Sequence, residues 1–169
     1  MYKNLFFLIL FFLAQVAVSQ VDKPIYDVRH FGAKGDGITN DQKAIQKAIY
    51  ACGKTGGTVV MKNGNFLTGQ LLLVSNLTLQ IDKTATVLGI KSDAESDYPH
   101  HQIETQFPNR MLQDCQRRLL YGNKVQNVTI TGGGIINGQG DYEPWMHVKE
   151  IGTEKDRPSL FAFVSSKNI

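Results

Sequence analysis

The chain has 169 residues, with 18 Lys and Arg against 15 Asp and Glu and a formal net charge of +3. With no dense Arg/Lys run and no recognition motif, that balance excludes a partner such as nucleic acid held on a basic surface. Cys52 and Cys115 are too few for a disulfide framework, and no Cys/His spacing suits zinc, so both are expected as buried thiols.

Residues 1–19 read as an export signal. Lys3 starts it, residues 5–13 are an unbroken apolar run, and Ala17, Val18 and Ser19 offer small residues for cleavage before Gln20. The run is too short for a bilayer span, so a secreted or periplasmic chain with no stable membrane anchor is expected. Residues 20–169 then hold 17 basic against 15 acidic residues, one domain's worth of chain.

An extended segment at 26–31 leads into a glycine-rich turn, FGAKGDG at 31–37, where Gly32, Gly35 and Gly37 supply positive φ. Thr39 stands three residues before Gln42, the spacing of a capping box, which predicts a helix from there. Ala44, Ile45, Ala48, Ile49 and Cys52 share one face of it. Gln42, Lys43, Gln46 and Lys47 share the other, and Gly53 marks the expected stop.

After Gly56 and Gly57 the period changes. Short β-rich runs follow at 58–61, 66–68, 71–74, 77–81 and 86–90, then at 119–121, 128–131, 135–137 and 160–164, with turn residues between them. Asn76, Asn127 and Asn168 recur at the turn into a strand, which suits an all-β solenoid of stacked coils with amide ladders. A β-sandwich shares the pattern of many short strands and stays open as an alternative. Three segments, a polar one at 91–109, a mixed one at 110–118 and a third at 138–158, interrupt the rhythm, as insertions that wall a groove would.

The FGAKGDG turn, the helix after it and GGTVV at 56–60 resemble the N-terminal signature of the pectate-lyase-like superfamily of right-handed, single-stranded parallel β-helices. TGGGIINGQG at 131–140 with Trp145, and RPSLFAF at 157–163 leading to Asn168, resemble glycoside hydrolase family 28, the polygalacturonases. The resemblance runs from about residue 25 to 169. It implies a fold with the helix as cap and an exported, cofactor-free hydrolase that acts on pectic galacturonan by inversion, monomeric when full length. That family carries its chemistry on later coils, in segments that do not occur here. Residues 20–169 are therefore expected to be an incomplete N-terminal portion, inactive alone, with no catalytic residue. A non-catalytic β-helix that binds polysaccharide, or a lyase of the same superfamily, is the alternative.

Inverting hydrolysis needs an acid and a base carboxyl on neighbouring coils. The carboxylates here are scattered over turns and loops: Asp36, Asp41, Asp82, Asp93, Glu95, Asp97, Asp141 and Glu143. Neither GDG at 35–37 nor GQG at 138–140 completes a phosphate loop, and residues 36–47 lack the closing Glu of a calcium loop. Asn76-Leu-Thr78 and Asn127-Val-Thr129 fit the glycosylation pattern but coincide with the repeated turn asparagines. The substrate-groove candidates are Trp145 and Arg157, which could stack on a sugar and pair with a uronate carboxylate, with Tyr142 and His147 nearby. Packing roles for these side chains compete with that reading.

Overall fold

The computed structural model describes residues 23–92, 94–99, 117–142 and 158–169. Within them the chain builds β1 (Ile25–Asp27), β2 (Asp36–Asn40), α1 (Gln42–Thr55), β3 (Gly57–Met61), β4 (Gly64–Thr68), β5 (Leu71–Leu72), β6 (Leu77–Ile81) and β7 (Ala85–Gly89). β8 (Arg118–Asn123), β9 (Thr129–Gly132), β10 (Ile135–Asn137) and β11 (Ser159–Val164) follow. Strands next to one another in sequence fall in different sheets. The orders are β1-β3-β6-β9 in sheet A, β2-β4-β7-β10 in sheet B and β5-β8-β11 in sheet C. Every pairing between these strands is parallel. The chain therefore winds through A, B and C and returns one rung further along, a right-handed parallel β-helix. A sandwich built on antiparallel hairpins is ruled out.

Inward-facing strand positions fill the interior. Val59 pairs with Leu79, Met61 with Ile81, Phe66 with Val87 and Leu71 with Leu120, all of them buried. Like side chains thus stack on like from coil to coil, each contributing about 1.5–3 kcal/mol of burial. Between sheets C and A the turn asparagines sit in left-handed backbone, with φ of 60° at Asn76, 57° at Asn127 and 53° at Asn168. Asn127 Nδ2 donates to Asn76 Oδ1 at 2.9 Å, and Asn168 Nδ2 donates to Asn127 Oδ1 at 2.9 Å. The expected amide ladder is present, and it gives both glycosylation-like motifs a structural role. Replacing Asn127 with Ala removes two rungs and puts a Cβ-bearing residue that cannot bond locally at positive φ. A loss of about 2 kcal/mol is expected in urea unfolding, and Asn127→Gly should recover the backbone share.

The N-terminal end departs from expectation in three places. Residues 28–31 form a 3-10 turn rather than extended chain, because Asp27 accepts from the Arg29 N–H and starts a helical turn. Thr39 does not cap the helix: its N–H and hydroxyl bond Asp36, and residues 36–40 pair with β4 as β2. The helix starts after Asp41, and the Asn40 side chain takes the Gln42 N–H. Gly53 does not end it either. Helix α1 runs on to Thr55 and closes at Gly56, whose φ is 71°. Gly53 instead permits close packing, since a Cβ there would lie 3.1 Å from Val74.

Ile45, Ala48, Ile49 and Cys52 of α1 are buried as the spacing predicts. The polar face has a use the pattern did not reveal. Gln46 Nε2 donates to the Leu72 carbonyl at 2.9 Å, and its Oε1 accepts from the Leu72 N–H at 2.8 Å. Gln42 Nε2 bonds the Gln70 carbonyl at 2.8 Å. β5 is the edge of sheet C, so these amides satisfy backbone groups that would otherwise template another strand.

Candidate functional site

Both long connections leave the solenoid at the same corner, between sheet B and sheet C. One runs from Gly89 to Arg118, the other from Asn137 to Ser159. Their described roots pack on each other. Lys91 Nζ lies 3.3 Å from Asp141 Oδ2, and Gln139 Nε2 donates to the Gly89 carbonyl. The Tyr98 hydroxyl donates to the Ile90 carbonyl at 3.0 Å, Asp97 accepts the Gln70 N–H on its carbonyl at 2.7 Å, and Arg117 lies 3.9 Å from Glu95. Burial, with the Asp97 charge, pushes the Tyr98 phenol far up, so Tyr98 is a neutral donor.

Beside this corner lies the outer face of sheet B. Strand alternation points Asp36, Asn65, Thr86 and Ile135 outward in one row, and Asn40, Leu67, Leu88 and Asn137 in the next. Ile135 is 60% exposed and Ile38, on the edge strand, 84%. This surface offers amides, one hydroxyl, apolar patches and, at its edge, the Asp36 carboxylate, a mixture that receives both the hydroxyls and the C–H faces of a sugar chain.

The described carboxylates do not cluster on it: Asp36 stands at its edge, and its charge is tied up locally. Asp27 pairs with Lys62 at 3.2 Å; burial works against its charge, but the Arg29 N–H and Lys62 hold its carboxyl below the usual range. Asp36 is held at about 2 by the Thr39 and Ile38 N–H groups and the Thr39 hydroxyl. Asp82 is lowered by the Thr84 hydroxyl and N–H. A general acid needs a raised value, and these three shifts run the other way. Asp41 is 2% exposed and accepts the Lys34 N–H at 2.7 Å and the Gly35 N–H at 2.8 Å, so it clamps the glycine-rich turn. Among the described residues no three His, Cys, Asp or Glu side chains gather as metal ligands would.

Trp145, His147 and Arg157, and with them Asp93, Glu143 and Cys115, lie outside the described residues. Tyr142 is half-buried and packs on the core. Burial raises the Cys52 thiol, as expected of an inert packed cysteine. The contacts at the insertion roots escaped the sequence reading, since most of them join residues far apart in the chain; the polar interruptions were their only trace.

Residues 25–140, from β1 through β10, match the family described as Rhamnogalacturonase A/epimerase, pectate lyase-like. The chain belongs to this family. An exo-poly-alpha-D-galacturonosidase of Dickeya chrysanthemi is 37% identical over 121 residues, which cover 69% of this chain and 20% of that protein. The family 28 exopolygalacturonase of Yersinia enterocolitica shares the fold at a TM-score of 0.57 and 32% identity, over 68% of this chain and 21% of that one. The exopolygalacturonase of Thermotoga maritima does so at a TM-score of 0.61 and 25% identity, over 88% of this chain and 40% of that one. The polygalacturonase kinship read from residues 131–140 and 157–163 is thus upheld. This family member spans about a fifth of the length of the Dickeya relative. Among its described residues no helix is long and apolar enough to cross a membrane.

Proposed function

We propose that the chain supplies the first coils of an exported glycosidase that hydrolyses α-linked galacturonate polymers with inversion, using no cofactor. The observation that carries this reading is the 37% identity to an exo-poly-alpha-D-galacturonosidase, which falls on a solenoid with its insertions at one corner. Residues 1–19 act as the export signal and are removed. Sheet B's outer face forms part of a groove floor and the two insertions its wall, with Trp145 and Arg157 as candidates to stack on a sugar ring and to pair with a uronate carboxylate. The acid and base carboxyls belong to coils beyond those described.

The test is release of reducing ends from polygalacturonate. The whole protein should release them with inverted anomeric configuration and in the presence of chelator, whereas residues 20–169 should release none. Turnover by residues 20–169 alone would overturn the placement of the acids. Unsaturated products would indicate a lyase, and failure of the whole protein to cleave would remove the hydrolase reading.

A further inference from the structure

At the corner between sheets C and A lies an open trough of about 360 Å³, lined by Lys23, Asn76, Thr78, Asn127, Thr129 and Asn168. It stands across sheet C from the insertions, which leave between sheets B and C. Two ordered rows make it. Thr78 pairs in register with Thr129 on sheet A, and the three asparagines stack beside them. Rungs of parallel strands repeat about every 4.8 Å, so two rungs span one pyranose ring.

Hydrogen-bond bookkeeping shows what the trough offers. Each amide has two N–H donors and a carbonyl with two lone pairs. Within the ladder Asn127 and Asn168 each use one donor, while Asn76, at the ladder's first rung, donates nothing from its side chain among the described residues. The hydroxyls of Thr78 and Thr129 and the Lys23 ammonium likewise have no partner among the described residues. The fixed ladder therefore presents leftover N–H groups, two hydroxyls of free rotation and one cation to the same space. Among the described residues it presents no carboxylate and no aromatic ring. Such a lining selects a ligand rich in hydroxyls and bearing negative charge, held edge-on by hydrogen bonds rather than stacked.

We propose that this trough is an accessory binding site for a carboxylate-bearing sugar unit. Lys23 takes the carboxylate, the Asn76 amide and the two threonine hydroxyls take ring hydroxyls, and the ladder holds the amides rigid so that little is lost in ordering them. The lining chemistry stands by itself, while the choice of galacturonate as the probe rests on the proposed function. A long anionic polymer held there and in the groove at once would be retained by two weak contacts instead of one.

The experiment is a titration of the whole chain with trigalacturonate, followed through the side-chain amide resonances of Asn76, Asn127 and Asn168, with neutral maltotriose as control. Saturable shifts with trigalacturonate alone are expected. Thr78→Val with Thr129→Val keeps the β-branched strand surface and should weaken binding tenfold or more. Lys23→Gln should weaken it about fivefold at low salt and less at high salt. Absence of saturable shifts overturns the site, as do equal binding of maltotriose and affinity unchanged in the double threonine variant. Shifts confined to Lys91, Gln139 and Asp141 also overturn it and place the sugar at the insertions instead. Cleavage of polygalacturonate is read independently, so loss of the trough leaves the hydrolase reading standing, and binding without cleavage does the reverse.

Discussion

Gly132→Ala should prevent the chain from reaching its folded state. A Cβ at Gly132 would lie 1.8 Å from the Ile81 carbonyl oxygen and 2.5 Å from its carbon, both backbone atoms of the neighbouring rung. Backbone cannot swing aside as a side chain can, so β9 would have to leave β6. The φ of +128° at Gly132 adds strain of its own. A loss above about 4 kcal/mol is expected, in the range reserved for disrupted packing. Gly133 is the internal control: its φ is +141°, but a Cβ there meets nothing nearer than Lys83 Cβ at 3.8 Å. Gly133→Ala should therefore cost only the strain, about 1–3 kcal/mol. Urea unfolding followed by circular dichroism separates the two, and equal losses would show that the contact between these rungs is not as described.

Asp41→Ala should be the most damaging change at the helix end of the solenoid. The side chain is buried and its two oxygens take the N–H groups of Lys34 and Gly35. Its own N–H donates to the Leu67 carbonyl at 2.8 Å, and its carbonyl accepts from Ile45 at 3.0 Å. Removing the carboxylate strands two backbone donors inside the turn, which costs about 2–5 kcal/mol together. Asp41→Asn keeps one good acceptor and should fall between wild type and Ala. Hydrogen exchange at Lys34 and Gly35 should accelerate in the same order. Unchanged exchange at both amides in Asp41→Ala would refute the clamp.

These two residues also mark the limit of what the sequence discloses. The strands were readable because Leu77, Leu79 and Ile81, and then Ala85 and Val87, alternate with partly exposed positions, and a buried face imposes that period locally. The ladder was readable because an asparagine returned at each turn into sheet A. β2 was not, since DGITN at 36–40 carries little strand preference and becomes a strand only by pairing with β4. Asp41 looked like one of many capping acids. Its clamp joins it to residues on the far side of a glycine turn, a geometry no spacing rule encodes. Gln42 and Gln46 read as solvent-facing helix residues, yet they finish a sheet edge more than twenty positions along the chain. At the candidate site only the corner was legible, from the polar interruptions, because the Lys91–Asp141 ion pair and the Gln139–Gly89 hydrogen bond that join the two roots are non-local.

The coil period carries an evolutionary consequence. From Gly57 to its partner Leu77 the chain needs 20 residues, whereas the rungs at Asn76, Asn127 and Asn168 are separated by 51 and then 41. Register survives these unequal lengths because the surplus leaves and re-enters at one corner, and lengthening a loop twofold costs only about 0.6 kcal/mol. Descent can thus rewrite the wall of the groove by insertion and deletion, while point substitution governs the spine. Lineages of this solenoid should diverge in what they hold much faster than in how they stand.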